Sequence, residues 1–179
     1  MIENRFTKVI VPFYLNKQTD SEGRLLREIW EWDNDELEAE HDYIQWLFPL
    51  RETTVHNPNA PIVNDTVIEA FSNDPLLRRN LLQSLNLMLR FYGLAMNDAE
   101  GKNIVITLAD EYDSRNSVWL KKYNHNYLRL TRILKCLMIF GLEEYSEALY
   151  ECLLKIYDEE EDKIGEETLQ FWIDAVSFV

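Results

Sequence analysis

Residues that interrupt helices are scarce in this chain, which has 5 glycines and 5 prolines among 179 residues. So little turn-forming chemistry favours helices. Cysteine is rarer still: Cys136 and Cys152 are far apart and form no CxxC pair, which excludes a disulfide-dense scaffold and a cysteine-rich zinc module. A disulfide between the two is left open. Because the chain shows no secretion signal, we expect both thiols to be reduced and buried.

Basic residues and long apolar runs are also few. The chain has 18 Lys and Arg against 32 Asp and Glu, a net charge of −14, which argues against a nucleic acid or an anionic membrane as partner. No uncharged run approaches the ~18 residues of a membrane-spanning helix. The opening MIENRFTKVIVPFYL lacks the charged region and long apolar run of a signal peptide. We therefore expect a soluble, cytoplasmic protein without a membrane span.

Apolar side chains, by contrast, are plentiful enough for a substantial core, at 46% of residues with 12% aromatic. At this length we expect one domain over residues 1–179. Helical periodicity and capping residues predict an all-α fold, a single compact bundle of six to seven helices. The predicted helices cover residues 22–30, 35–48, 65–71, 76–92, 114–140, 143–157 and 166–178.

Four shorter segments are not read as helices. VIVPFYL (9–15) contains Pro12 and predicts a short extended arm or an edge strand. NIVITL (103–108) is typical of one short strand. The polar segment 52–61, with its prolines, predicts a loop, and DEEED (158–162) predicts a solvated acidic turn.

Charge is distributed unevenly along the chain. Residues 28–42 include eight acidic residues and no Lys or Arg, and residues 143–179 include twelve acidic residues and two lysines. Residues 114–142 hold six basic residues and no acidic one. A basic helix inside an acidic protein predicts either an acidic neighbour or an anionic ligand.

The basic segment NHNYLRLTRILKCL places its polar groups on one helical stripe. The stripe consists of His125, Arg129, Arg132 and Cys136, at i, i+4, i+7 and i+11. Apolar residues cover most of the remaining surface of this helix, so we expect the helix to be largely buried. Its arginines are therefore expected to contact other groups and not only bulk water. Arginine presents a planar fork of donors that suits a carboxylate or a phosphate.

The stretch HDYIQWLFPL (41–50) sets polar groups among core-type residues in the same way. Asp42 and Gln45 are three residues apart between apolar flanks that include Tyr43 and Trp46. A carboxylate in such surroundings must find a partner or change its protonation.

Three interpretations of these polar groups stay open. In a structural one, Asp42 pairs with Arg129 or Arg132 and clamps two helices together. In a binding one, the same groups line a pocket for a charged or peptide-like ligand. In a third, His41, Asp42 and His125 hold a metal, although zinc usually takes three or four ligands at recognisable spacing.

Other recognisable chemistry is absent: there is no GxSxG, no glycine-rich phosphate loop and no HExxH. We therefore predict no cofactor. An enzyme remains an alternative, with His41 or His125 as acid or base and the arginines orienting an anionic substrate. A protein–protein adaptor is the other, and it would use exposed tryptophans. The candidates for that surface are Trp30, Trp32, Trp119 and Trp172.

Four segments carry a family signature: LEAEHDYIQWLFPL (37–50), AF (70–71), MLRFYGL (88–94) and HNYLRLTRILKCL (125–137) followed by GLE. In order and spacing, over residues 4–150, they resemble the conserved region of the opioid growth factor receptor family. The resemblance implies an all-α domain. In the vertebrate receptor this domain is associated with binding the pentapeptide Met-enkephalin and with a perinuclear and nuclear role in restraining proliferation.

The resemblance supplies no catalytic residues. The vertebrate proteins carry a long repeat region and nuclear-import signals after this domain. We find no basic import cluster here and expect a stand-alone member of the kind found in microbial genomes.

We therefore predict a domain that binds a small peptide or an anionic small molecule, without a metal. The predicted groove lies between the helices at 35–48 and 114–140. Its arginines would take a carboxylate and its acidic surroundings an ammonium group. The predicted site residues are His41, Asp42, Gln45, Trp46, His125, Asn126, Arg129 and Arg132.

Overall fold

The computed structural model describes residues 7–54, 57, 59–98 and 103–177. Helices dominate, as predicted, alongside a two-stranded sheet. The helices are α1 (Ile10–Tyr14), α2 (Leu26–Trp30), α3 (Asn34–Ala39), α4 (Ile44–Leu47), α5 (Asp65–Asn73), α6 (Pro75–Tyr92), α7 (Tyr112–Trp119), α8 (Asn126–Ile139), α9 (Glu143–Ile164) and α10 (Glu166–Val176). The strands are β1 (Leu94–Asp98) and β2 (Ile104–Leu108).

The chain divides into two compact units, Met1–Leu85 and Asn86–Val179. Residues 55, 56 and 58 of the predicted loop and Phe178 of the predicted last helix lie outside the described residues. The expectation of a single domain stays a prediction.

In the first unit, α1 occupies the segment predicted as an extended arm, so that prediction was wrong. Pro12 is the third residue of α1, within the first turn, where the backbone N–H has no partner in the helix and its absence costs little. Ile10, Phe13 and Tyr14 are buried, the i, i+3, i+4 spacing that a helix places on one face.

The helix predicted over 35–48 is divided into α3 and α4. Glu40 follows α3 with an extended backbone (ψ 140°), and the chain resumes helical hydrogen bonding only at α4. One continuous helix would have placed His41, Ile44 and Phe48 on one stripe. Because the helix is divided, His41 is exposed while Ile44 and Phe48 are buried. Similarly, the helix predicted over 22–30 begins only at α2 because a turn precedes it.

Aromatic side chains fill the core of this unit. Phe13 meets Trp46 edge to face with ring centroids 5.2 Å apart, and Tyr14 meets Phe71 at 5.0 Å. The Asn80 amide donates to the Tyr14 carbonyl at 2.6 Å, which satisfies a buried backbone group in the middle of this cluster.

The capping signals around α5 and α6 are confirmed. The Asn64 side chain accepts from the backbone N–H three residues on, at 3.0 Å, and that of Asp74 accepts from the N–H two residues on, at 2.8 Å. Pro75 is the first residue of α6, and Gly93 follows its end with φ +75°.

In the second unit, β1 and β2 pair antiparallel with Leu94 opposite Leu108. The strand predicted over 103–108 is thus confirmed, but its partner was missed because LAMND carries little strand signal. Helices α8, α9 and α10 pack against one another, and α9 also packs on β2.

The helix predicted over 114–140 is two helices, α7 and α8, separated by residues 120–125. The break contains Tyr123, whose φ of +60° no helix accommodates. The acidic run 158–162, predicted as a turn, lies inside α9, which is kinked at Glu160. These divisions leave ten α-helices in the described residues where six to seven were expected. Within those residues, no helix is both long and apolar enough to cross a membrane.

Candidate functional site

Arg24 is the centre of a charged cluster in the first unit. Its Nε donates to Asp20 Oδ2 at 2.7 Å and its Nη2 to Asp42 Oδ1 at 2.8 Å, while Glu40 Oε2 is 3.9 Å from Nη1. The Asp20 side chain is fully buried and also accepts from the backbone N–H groups of Glu22 and Arg24. One guanidinium thus lies within 4 Å of three carboxylates, two of which it binds through hydrogen bonds.

The face of the Arg24 guanidinium lies over an aromatic ring. Its Cζ is 5.4 Å from the centroid of Trp32, which meets Tyr43 edge to face at 5.3 Å. Burial alone would lower the pKa of Arg24, but the hydrogen bonds to Asp42 and Asp20 outweigh it and raise the pKa. The guanidinium is therefore a permanent cation that fixes the positions of the carboxylates around it.

Sequence reasoning missed Arg24 as the partner of Asp42 and named the arginines of the basic segment instead. A signal for it was present in DSEGR (20–24). An aspartate followed by a glycine three residues on is typical of a side-chain-capped turn, and the turn brings Asp20 and Arg24 together at i, i+4.

The predicted site residues of the stretch 41–50 have distinct environments. His41 is exposed and Asp42 is half-buried. Gln45 is buried and, with its amide oriented to satisfy both groups, donates to the Asp42 carbonyl at 2.8 Å and the His41 carbonyl at 3.3 Å. Trp46 is fully buried in the aromatic core. Only His41 and Asp42 of this set therefore present side chains to solvent.

The other four predicted site residues lie at and within α8 in the second unit. Asn126 is fully buried, and its Oδ1 accepts from Arg129 Nη1 at 3.3 Å and from the Tyr92 hydroxyl at 3.5 Å. Arg129 is 4% exposed. His125 and Arg132 are half-buried. The side chain of His125 makes no capping hydrogen bond to α8, although this residue occupies the N-cap position.

The structure brings together Asn126 and Arg129 in one unit, and Asp42 and Gln45 in the other. The groove predicted to hold both sets stays a prediction. Within the described residues, no three His, Cys, Asp or Glu side chains are arranged to hold a metal ion. The metal interpretation of His41, Asp42 and His125 stays an untested hypothesis.

The tryptophans considered for a partner surface are mainly core residues. Trp119 and Trp172 are fully buried, and Trp30 and Trp32 are half-buried. Trp119 lies between Tyr92 and Tyr127, with ring centroids 5.4 and 6.3 Å away, and its Nε1 donates to the Tyr92 carbonyl at 3.1 Å. The aromatic excess in the sequence therefore reflects packing more than an exposed surface.

A cleft of about 330 Å³ opens between β2 and α9. Sequence reasoning did not find it, although three glutamates spaced i, i+3, i+7 in 144–151 mark one helix face. The cleft is lined by Asn103, Ile104, Val105, Glu144, Glu147, Ala148 and Glu151. Its lining combines three carboxylates with apolar side chains.

The two cysteines are free and buried, as expected. Burial raises the pKa of Cys136 far above that of an ordinary thiol and that of Cys152 to about 11. Thiols with so little thiolate are poor nucleophiles.

Two tyrosines of the second unit make its stability depend on pH. Burial, reinforced by the Glu160 carboxylate, raises the pKa of Tyr112 and of Tyr127 to about 12, from 10.0. Phenols of the unfolded chain ionise near pH 10, whereas these remain neutral in the fold until about pH 12. We therefore expect the stabilisation that comes from keeping these two phenols neutral to be fully present below pH 10 and to be lost as pH rises towards 12.

Urea unfolding at pH 9, 10 and 11 measures this loss, and the double variant Tyr112→Phe/Tyr127→Phe should show a smaller one. An identical pH dependence in both proteins would contradict this assignment.

Comparison with known proteins places the whole chain in one family. The family model for the opioid growth factor receptor conserved region matches residues 3–178. The mouse opioid growth factor receptor is 37% identical over 149 residues, which cover 81% of this chain and 23% of the relative. Mouse opioid growth factor receptor-like protein 1 is 35% identical over 153 residues, which cover 84% of this chain and 31% of the relative.

The human opioid growth factor receptor is 39% identical over 128 residues, covering 70% of this chain and 18% of the relative. The chain therefore spans less than a third of the length of these curated relatives. No solved structure matches it. Because the family model covers both compact units, the chain belongs to the opioid growth factor receptor conserved-region family.

Proposed function

We propose that this chain binds a small peptide, and that the carboxylates held by Arg24 receive the peptide's ammonium group. Curated relatives are named receptors for opioid growth factor, which makes a peptide the ligand class to test. The observation that carries the proposal is the grouping of three carboxylates around the Arg24 guanidinium, two of them partly exposed to solvent.

The outer two of these carboxylates suit an incoming cation. The side chains of Asp42 and Glu40 are 36% and 53% exposed. Asp42 accepts from Arg24 through Oδ1, and we assign its Oδ2 to the ammonium group of the ligand. Because Arg24 already holds Asp42 in place, little side-chain entropy remains to be lost when an ammonium binds. Asp20, in contrast, is buried and satisfied by its own turn, so its role is to hold the arginine.

The arginines of α8 are the proposed receptors of an anionic group. Arg132 is half-buried and Arg129 is held by the Asn126 amide. A guanidinium removed from bulk water binds a carboxylate more strongly than an exposed one does. This part of the proposal concerns the second unit alone and is tested separately.

The binding test uses Met-enkephalin, its Nα-acetylated form and its C-terminal amide, measured by isothermal titration calorimetry. We expect acetylation to weaken binding roughly tenfold because it removes the ammonium, a loss of about 1.4 kcal/mol. Asp42→Asn should weaken the free peptide by a similar factor and leave the acetylated peptide unchanged. Glu31→Gln removes one exposed charge from the same acidic segment and should have no comparable effect.

The anionic end is tested with the amide. Arg132→Ala should weaken binding of the Nα-acetylated peptide, which keeps its carboxylate but has no ammonium group, roughly tenfold, leave the amide unchanged and alter the thermal midpoint less than it alters binding. Equal affinity for all three peptides, or no binding of any at millimolar concentration, would reject the proposed recognition. If Arg132→Ala only unfolds the protein, this arginine is structural.

A further inference from the structure

An exposed turn connects α7 and α8. We call it the lysine–tyrosine turn, and it consists of Lys121, Lys122 and Tyr123. All three side chains are exposed, and Tyr123 is 99% exposed. Tyr123 adopts φ +60°, a left-handed conformation that costs a residue with a side chain about 1–2 kcal/mol. A water-facing aromatic ring held in an unfavourable backbone conformation is not explained by packing.

Neighbouring hydrogen bonds hold this turn in shape. The Asn124 N–H donates to the Lys121 carbonyl at 3.2 Å, and the Asn124 side chain donates to the Val118 carbonyl at 3.2 Å. Asn124 Oδ1 in turn accepts from the backbone N–H of Asn126 at 2.9 Å. The tip is therefore preorganised, which lowers the entropy cost of inserting it into a partner.

The glutamate cleft between β2 and α9 has the complementary chemistry. Its lining includes the exposed carboxylates Glu144, Glu147 and Glu151, together with Val105, which is 47% exposed, and the methyl group of Ala148. These three carboxylates have no ion pair in the described structure. A cleft lined by apolar groups and carboxylates fits an aromatic ring flanked by cations.

We propose that the lysine–tyrosine turn of one copy of this chain inserts into the glutamate cleft of a second copy. The Tyr123 ring would lie against Val105 and Ala148, and the two lysines would pair with the glutamates that line the cleft. The cleft volume of about 330 Å³ provides room for one aromatic ring. Charge complementarity within one sequence makes a second copy the occupant, since each copy carries both halves of the contact.

The net charge of −14 sets the conditions under which this contact forms. Two copies repel each other at low ionic strength, where the Debye length is about 30 Å at 0.01 M salt. At 0.15 M it falls to about 8 Å, which removes repulsion between distant charges and leaves the local ion pairs. Because one turn in one cleft buries little surface, we expect weak, concentration-dependent association.

Sedimentation velocity of the full chain from 10 μM to about 1 mM in 0.15 M salt tests the proposal. Two variants each remove one half of the contact: Lys122→Glu/Tyr123→Ala destroys the turn and Glu144→Lys/Glu147→Lys destroys the cleft. Each alone should show association at least about tenfold weaker than wild type. Their equimolar mixture should form a mixed dimer, because one variant still supplies an intact turn and the other an intact cleft.

The control is Asp158→Lys/Asp162→Lys, which makes the same change in net charge as the cleft variant but on exposed positions of α9 that do not line the cleft. It should not disrupt association. Three results would each overturn the proposal. The wild-type protein could stay monomeric at all concentrations, the control variant could lose association as strongly as the cleft variant, or the mixture of the two variants could remain monomeric. None of these results bears on the peptide titrations, which concern other residues.

Discussion

Arg24→Ala is expected to lower the free energy of unfolding by about 3 kcal/mol, because it removes the counterion of a fully buried carboxylate. Asp20 would keep its two backbone N–H donors but would carry an uncompensated charge. Asp42 would lose its ion pair at the same time. For a chain of this size the thermal midpoint should fall by roughly 6–12 °C.

The matched control for this prediction is Arg27→Ala. Arg27 lies in the first turn of α2, close in sequence to Arg24, and is exposed, so its loss should change stability by no more than about 0.5 kcal/mol. Urea unfolding followed by circular dichroism compares the two. Equal, small effects would show that the Arg24 cluster contributes little to stability and that water can replace the guanidinium beside Asp20.

Gly93→Ala is the second substitution expected to have a large effect, again about 3 kcal/mol. A Cβ at this position would lie 2.7 Å from Tyr112 Cα and 3.0 Å from Arg115 Cβ. The first of these is backbone and cannot be moved by rotating a side chain, so α7 or the end of α6 would have to shift. The residue also has φ +75°, where alanine is strained by about 1–2 kcal/mol.

Gly141→Ala separates the two causes. Gly141 has a similar φ of +67°, but a Cβ there would meet nothing within 4 Å. This variant should therefore lose only about 1 kcal/mol, the cost of the backbone conformation alone. The difference between the two variants in a urea titration, about 2 kcal/mol, reports the close approach of α7 to Gly93. Equal losses of unfolding free energy in the two variants would mean that the backbone around Tyr112 shifts to accept the Cβ without destabilising the fold.

The same close approach explains why the end of α6 is well anchored. Arg115 Nε donates to the Phe91 carbonyl at 2.9 Å, and Trp119 Nε1 donates to the Tyr92 carbonyl at 3.1 Å. These side chains satisfy two of the carbonyl groups that a helix end leaves without partners. Glycine at position 93 is what lets α7 come close enough to supply them.

Local signals in the sequence were sufficient wherever one residue decides a helix end. Asn64, Asp74 with Pro75, and Gly93 each act within a few residues of themselves. The predicted start of α5 at Asp65 and the predicted end of α6 at Tyr92 are confirmed, whereas α6 begins at Pro75 instead of residue 76 and α5 continues past residue 71 to Asn73. Apolar periodicity likewise determined that the chain is mostly helical, because it depends only on which residues must avoid water.

Local signals failed where tertiary contacts override periodicity. The pattern in 35–48 suits one helix, yet the chain leaves helical geometry at Glu40 and places Asp42 against Arg24. The pattern in 114–140 suits one helix too, yet Tyr123 takes a left-handed conformation between α7 and α8. Neither break contains a glycine or a proline, so no residue type announces it.

The same distinction between local sequence signals and tertiary contacts applies to the candidate sites. The sequence by itself determined the family, the helical class and the uneven distribution of charge, since these depend on composition, order and spacing. Only the tertiary structure decided that Arg24 holds Asp42, that Trp46 is enclosed while His41 is exposed, and that three glutamates line a cleft with β2. Those outcomes depend on distances between residues far apart in the chain, which periodicity along one helix does not encode.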